Sequence, residues 1–322
     1  ITNNHSIHSA AGFGCMSLFD TGATATGSAH SIIAFNSVNG ERTAGNSILD
    51  TSYPYFANIA GYDNIISHNT VNLTIRDDFN TVAGAQNVLT VIGAALDATD
   101  TNLAPNVVEH NSITFAVYGD ADLTAYNCVQ VAAAAADLVF ASNQFRVYST
   151  EDADLVAAAI TATNAVVAHS ITVMPGGLGG FERGTVALGT NVTLSLQTPV
   201  RTLNFNLGKI NAFDNFNYFG DGSGATGYTF GRFSRISRAY VAGLCEDVEG
   251  TASADIGLNK NDAGVIFAGL SVSGDGVWAE ASVAPSGNYD FAPTDKLGLT
   301  VTNFSDGYVD CVTLMVEYQQ LS

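Results

Sequence analysis

Three aspartates stand at one fixed distance from a recurring asparagine. Nine residues beyond Asn69, Asn111 and Asn143 are Asp78, Asp120 and Asp152, and eleven beyond the last two are Asp122 and Asp154. The tetrapeptide Asp-Ala-Asp-Leu occurs at 120–123 and again at 152–155. If successive copies stack in register, these carboxylates form a ladder at about 4.8 Å, the spacing of neighbouring strands. Like charges at that distance repel by about 0.9 kcal/mol in water, and by about 3.5 kcal/mol at an effective dielectric of 20. Three readings meet that cost. A solvated turn screens it, and Asp favours turns through its local hydrogen bonds. A Ca²⁺ ion held by Asp78, Asp120 and Asp152 neutralises it, because a hard cation wants several carboxylate oxygens. A glycosidase pair drawn from Asp120, Asp122, Asp152 and Asp154 uses it, one carboxyl serving as acid and another as base or nucleophile. Tyr118 and Tyr148 lie close in sequence and are candidate platforms for sugar rings.

A second group lies further along. Arg232, Arg235 and Arg238 hold three of the chain's eleven basic residues. A local cationic patch on an acidic protein suits an anionic glycan or the carboxylates of a neighbouring subunit. The plain alternative is a solvated strand edge or a charge-balanced interface. His68 and His110 share a column with Phe35 and Ser142, and His169 is expected there as well. Stacked imidazoles can serve a metal or a pH switch. With no third ligand clustered beside them, a simple stack of like on like is the better reading.

The elements that position these residues come from a repeat. Ser31-Ile32-Ile33-Ala34-Phe35-Asn36-Ser37-Val38 returns as Asn64-Ile65-Ile66-Ser67-His68-Asn69-Thr70-Val71 and as Asn106-Val107-Val108-Glu109-His110-Asn111-Ser112-Ile113. Leu138 to Phe145 is a fainter copy, and Ala165 to Thr172 is read as a fifth. The asparagine column is then Asn36, Asn69, Asn111 and Asn143, closed by Ser170, with His5 in the same place at the start. Ile1 to Ile7 reads as the end of an earlier copy, so further sequence is expected before it. Between copies stand second apolar runs at Cys15–Phe19, Ser47–Leu49, Val88–Ile92, Cys128–Val131 and Val156–Ile160. Apolar residues seldom recur at helical spacing, whereas β-branched runs broken by Asn and Gly are frequent. The Ala-rich stretch from Val131 to Leu138 is expected to pack a narrow interior. A period near 30 residues built only of strands is one coil of a β-solenoid. The asparagines are expected at the corners, in the left-handed region, bonded to their counterparts in the next coil as an Asn ladder.

From about Leu207 the phrase stops. Thr251–Leu258, Val265–Val272, Val277–Val283, Leu297–Val301 and Cys311–Tyr318 are strand-like runs broken by Gly, Pro and Asp. Val312, Leu314, Val316 and Tyr318 alternate with Thr313, Met315 and Glu317, the pattern of a half-buried antiparallel strand. Several such strands in this length predict a β-sandwich or jelly roll. Two domains follow, residues 1–207 and 208–322. The loop Gly220 to Gly227 lacks the Lys and the following helix that phosphate binding would need. The cysteines Cys15, Cys128, Cys245 and Cys311 are widely spaced and read as four buried free thiols. Cys245 with Cys311 is the one pair worth testing as a disulfide.

The phrase N-I-I-x-x-N-x-V resembles the repeat of right-handed parallel β-helices, the architecture of pectate-lyase-like enzymes and bacteriophage tailspikes. A shaft of that kind followed by a β-sandwich is similar to phage spikes and fibres. The resemblance implies an all-β chain, a right-handed parallel β-helix and then a sandwich that trimerises the shaft, caps it or touches the host. It implies a homotrimeric virion appendage on the outside of the particle, joined to other virion proteins and attached to bacterial surface polysaccharide. A polysaccharide depolymerase and a head fibre or capsid decoration protein are the alternatives. No cofactor beyond the Ca²⁺ ion is expected.

Composition limits the remaining choices. The chain has 322 residues, with 47 % apolar and only 13 % charged side chains. A chain of this kind has ample material for a core, so global disorder is excluded. Thirty acidic against eleven basic residues give a formal charge of −19. Nucleic acid and anionic membrane surfaces, which need a basic face, are poor partners. No apolar run is long enough for a membrane span, so neither nucleic-acid binding nor membrane insertion is expected.

Overall fold

Parallel strands need a crossover of a dozen or more residues between them, and a phrase that recurs after 32 to 42 residues supplies one. In the computed structural model each copy of the phrase lies against the next in parallel register. Ile32 pairs with Ile65, Ile65 with Val107, Val107 with Val139, and Val139 with Thr172. The structure describes residues 5–9, 14–18, 28–43, 55–76, 86–92, 103–118, 126–131, 137–149, 158–162, 168–179, 185–211, 227–246, 252–261, 265–274, 277–283, 289–302 and 308–321. Every element among them is a strand. The chain divides into two compact units, residues 1–198 with 321–322, and residues 199–320.

The first unit holds three parallel sheets that the chain visits in a fixed cyclic order as far as His169–Val173. One sheet contains the short strands Ile32–Ala34, Ile65–Ser67, Asn106–Glu109, Leu138–Ala141, His169–Val173 and Val192–Leu196. The next stacks His5–Ser9, Ser37–Thr43, Thr70–Arg76, Ser112–Tyr118 and Gln144–Ser149. The third runs through Gly14–Leu18, Tyr55–Tyr62, Gln86–Ile92, Tyr126–Val131, Ala158–Ala162 and Thr185–Ala187, with Ser28–Ala29 alongside Tyr55–Tyr62. Each phrase therefore contains two strands with the asparagine between them. In the third sheet the strand of the second coil is Tyr55–Tyr62; the expected run Ser47–Leu49 lies outside the described residues, as do Ala132–Ala136 of the Ala-rich stretch.

Like stacks on like in the interior. Ile33, Ile66, Val108, Phe140 and Val173 form one buried column, and Val38, Val71, Ile113 and Phe145 form another. Each side chain meets its counterpart one strand spacing away, so the close packing of one coil is repeated by the next.

Two expectations about the column need correction. Leu138 pairs with Ile171, so Ser170 falls opposite Asp137, whose carboxylate accepts the Ser170 N–H at 2.6 Å, and Gly176, with φ of 68°, lies against Ser142. The fifth copy had been aligned six residues too early, because no asparagine marks it. Asn143 instead donates from Nδ2 to the Gly177 carbonyl at 2.9 Å, in the turn that follows Val173. At the other end His5 pairs with Ser37, one place beyond the asparagine column.

The second unit contains two antiparallel sheets. Arg201–Asn211, Tyr308–Gln320, Ser234–Glu246 and Val277–Val283 lie in that order, with Tyr289–Phe291 also pairing Ser234–Glu246. Tyr228–Thr229, Lys296–Thr302, Ala252–Lys260 and Val265–Gly274 form the other. Ile236, Val241, Val312, Leu314 and Val316 of the first meet Ile256, Leu258, Leu297 and Leu299 of the second in one buried core. The Leu207 change of texture falls inside Arg201–Asn211, which pairs along Tyr308–Gln320. Ser234–Glu246 is an inner strand rather than the solvated edge its arginines suggested. Gly243 in it is required by close approach, since a Cβ there would lie 2.7 Å from Val309 Cγ1.

Cys245 is buried and Cys311 exposed, both as free thiols. The disulfide between them is absent, and Cys311 is not the buried thiol expected.

Candidate functional site

A sharp corner follows the short strand in four successive coils, and a second one precedes it in the first two of them. The residues that take the left-handed conformation there are Phe35, His68, His110 and Ser142, with φ of 56°, 55°, 52° and 50°. These immediately precede the asparagines, so the strained position is one residue earlier than the sequence suggested. His30 and Asp63, with φ of 57° and 53°, make the corresponding corner at the other end of the strand. An L-residue in this region costs about 1–2 kcal/mol, and a bulky one is an outlier.

Hydrogen bonding holds the corners. Asn36, Asn69, Asn111 and Asn143 are all buried. Asn69 Nδ2 donates to Asn111 Oδ1 at 2.9 Å and to the Ile33 carbonyl at 3.0 Å. Asn69 Oδ1 accepts the backbone N–H and the Nδ2 of Asn36 at 3.0 and 2.9 Å. The same pattern links Asn111 to Asn143 and to the Ile66 carbonyl. Two donors and two acceptor sites of one carboxamide are thus all used. A second ladder was missed in the sequence. Asn64 donates from N and Nδ2 to Asn106 Oδ1, and Ser31 N–H donates to Asn64 Oδ1. Its signal was the first letter of the phrase, five residues before the asparagine that was followed.

On the outside these corners carry rings. Phe35 and His68 are stacked with centroids 4.9 Å apart, and His68 and His110 are again 4.9 Å apart with planes tilted by 30°. All three are exposed, Phe35 to 57 %. His169, expected in this column, is instead a buried residue of His169–Val173 and pairs with Val192. Three residues before the rings runs an outward aliphatic column of Ile32, Ile65, Val107 and Val139, of which Ile32 is 53 % exposed. At the far corner His30 Nδ1 is hydrogen-bonded to the Asp63 carboxylate, and its ring meets Tyr62 edge-on at 5.9 Å. The short-strand face therefore presents apolar surface along its middle, imidazole and phenyl edges on one margin, and a His–Asp pair on the other. It can hold a ligand that combines apolar faces with many hydroxyls.

The other residues singled out in the sequence do not join this face. Asp78, Asp120, Asp122, Asp152 and Asp154 lie outside the described residues, as does most of the Gly220–Gly227 loop. The backbones of Tyr118 and Tyr148 lie in strands, Tyr118 opposite Arg76 and Tyr148 opposite Ala116, so they are not cross-strand neighbours. The three arginines separate. Arg235 is buried, with Nε 2.6 Å from Asp290 Oδ1 and Nη2 2.9 Å from Oδ2, a bidentate pair across adjacent strands. Arg232 is exposed, outside the strand. Arg238 is exposed on the sheet, beyond a bulge between Ile236 and Arg238. Among the described residues no group of three or more His, Cys, Asp or Glu side chains is placed to hold a metal ion, and no helix is long and apolar enough to cross a membrane.

No family model and no curated protein sequence matches the chain. Solved structures similar to it include phage tailspikes. The tailspike of Acinetobacter baumannii phage AM24 matches at 8 % identity over 91 % of this chain and 69 % of that one, with a TM-score of 0.17. The tailspike of E. coli bacteriophage HK620 in complex with a pentasaccharide matches at 13 % identity, 90 % of this chain and 62 % of that one, with a TM-score of 0.20. The same tailspike with a hexasaccharide gives 13 %, 90 %, 61 % and 0.18. The chain thus spans between three fifths and seven tenths of the tailspikes it matches.

Proposed function

We propose that this chain is a virion appendage of the tailspike or tail-fibre kind, which attaches a phage to polysaccharide on a bacterial surface. In this reading the first unit is a right-handed parallel β-helix, the second a β-sandwich, and three copies assemble on the particle's exterior. The observation that carries it is the exposed ring column Phe35, His68 and His110 on left-handed backbone. The ladder needs the bend but not the rings, since Ser142 makes the same bend without one. Phe35 pays backbone strain, stays half in water, and sits beside an equally exposed Ile32. Strain retained at an exposed position is a mark of binding. Pyranose rings complement this face, with an apolar C–H surface to lie on its rings and hydroxyls around it. Stacked coils with fully satisfied buried carboxamides supply the stiffness a shaft needs.

The test is binding of the purified chain to capsular polysaccharide and lipopolysaccharide from candidate hosts, followed by the chain length of the bound polymer. Binding that falls in Phe35→Ala combined with His68→Ala, with unfolding unchanged, supports the reading. Full binding in that variant removes the ring column from the function. Shortened polymer makes the protein a depolymerase, and no binding to any polysaccharide favours a decoration protein.

A further inference from the structure

The outer face of the larger sheet in the second unit contains a cavity of about 480 Å³, within the range of small-molecule sites. Its floor follows from side-chain size. Ala242 sits between Thr313 and Glu280 in one cross-strand row, and Tyr240 lies beside Ser282 in the next. A methyl group flanked by longer side chains leaves a depression. Arg238 closes one end. Its guanidinium lies 4.5 Å above the Tyr240 ring and donates from Nη2 to Ser282 Oγ at 3.2 Å. Ser282 is on the strand opposite the one that carries Glu317, the register neighbour of Arg238. The fork is therefore drawn over the cavity and away from that carboxylate, and Arg238 joins no ion pair between described residues. Arg235, three residues earlier, is by contrast committed to Asp290. Glu280 closes the other end, its backbone about 13 Å along the strands from that of Arg238 and about 7 Å from that of Ser282, at a rise of about 3.3 Å per residue.

We propose that this cavity binds an acidic disaccharide unit, with a sugar carboxylate on the Arg238 fork that covers Tyr240, a sugar ring over the Ala242 floor, and the hydroxyls of the next sugar on Thr313 and Glu280. A planar fork held by stacking and one hydrogen bond is preorganised for a carboxylate. The Tyr240 ring beneath it keeps the fork in place. Glu280 and Glu317 on the same face favour a single negative charge over a phosphate dianion, which they would repel more strongly. The site is separate from the ring column of the first unit, and neither reading depends on the other.

Trp278 reports on it directly. It is the only tryptophan of the chain, 58 % exposed, and two residues from Glu280 on the same strand. The experiment titrates the full chain with a tetrasaccharide of alternating glucuronate and N-acetylglucosamine, and with the neutral N-acetylglucosamine tetrasaccharide, following Trp278 fluorescence. The acidic sugar is expected to bind about tenfold or more tighter, and Arg238→Ala to weaken it about ten- to a hundredfold, as for a lost hydrogen bond to a charged group. The same variant should leave the neutral sugar and the unfolding midpoint unchanged, and Phe35→Ala should leave both titrations unchanged. Equal binding of the two sugars, a preference that survives Arg238→Ala, or no fluorescence response at millimolar sugar overturns the proposal. Loss of whole-polysaccharide binding only in the Phe35 variant bears on the ring column and leaves this site intact.

Discussion

Asn69 and Asn111 are joined twice through a single oxygen: Asn111 Oδ1 accepts both the backbone N–H of Asn69, at 3.0 Å, and its Nδ2, at 2.9 Å. The contact spans 42 residues of sequence and fixes two coils at one height.

Replacing Asn111 by Asp keeps the shape and removes both donors. The buried carboxylate then faces the Ile66 carbonyl and Asn143 Oδ1, acceptor against acceptor. Each buried group left without a partner costs about 1–3 kcal/mol, so Asn111→Asp is expected to lose several kcal/mol in urea unfolding near neutral pH. Asn39→Ala breaks an exposed Asn72–Asn39 bond of 3.0 Å and should cost less than about 0.5 kcal/mol.

Phe35→Asn should separate stability from binding. Asn adopts the left-handed region routinely, so the substitution relieves strain, while the Phe35–His68 stack of 4.9 Å is lost. The unfolding free energy is expected to rise by about 0.5–1 kcal/mol as polysaccharide binding falls. A variant that is less stable would show that the stack outweighs the backbone.

Asp295 links stability to acid. Burial pushes its carboxyl upward, but hydrogen bonds from Lys260, Asn261 and the Ala292 N–H, with the Lys260 charge, outweigh burial and hold it below its ordinary value. A depressed carboxyl contributes stability above its unfolded pKa, and that contribution is lost as pH falls through the folded one. The wild type should therefore lose more stability than Asp295→Asn between about pH 6 and about pH 3, read from paired thermal unfolding curves.

The two cysteines of the second unit should label differently. Burial raises the Cys245 thiol above its ordinary value and covers it, whereas Cys311 is exposed. Maleimide followed by peptide mass spectrometry should modify Cys311 in the native protein, and Cys245 only on unfolding.

Much of the first unit was legible because one asparagine per coil does a job that no other residue can do. Only a carboxamide donates and accepts along the stack, so Asn36, Asn69, Asn111 and Asn143 stand out at irregular intervals. The column is hidden where that job passes to the backbone: beyond Asn143 the Gly177 carbonyl closes the ladder, and nothing in the letters marks Gly177 as the next position. Propensity assigns the strained φ to the asparagine. The ladder geometry instead needs the bend one residue earlier, at Phe35, His68, His110 or Ser142. In the second unit, Arg232, Arg235 and Arg238 drew attention to charge. That concealed an inner strand whose buried residues, Ile236, Ala239 and Val241, are thrown out of alternation by the bulge before Arg238.

The coil that links Asn69 to Asn111 is 42 residues long, while its neighbours take 33 and 32, yet the carboxamide distances are the same in all three. Pinning at the corners makes the pitch independent of what lies between them. Closing the longer excursion costs only about 0.2 kcal/mol more entropy than closing a 33-residue one. Segments of different length and composition can therefore be exchanged around the girth without disturbing the stack. Such a stack can change its surface while leaving its own repeat untouched.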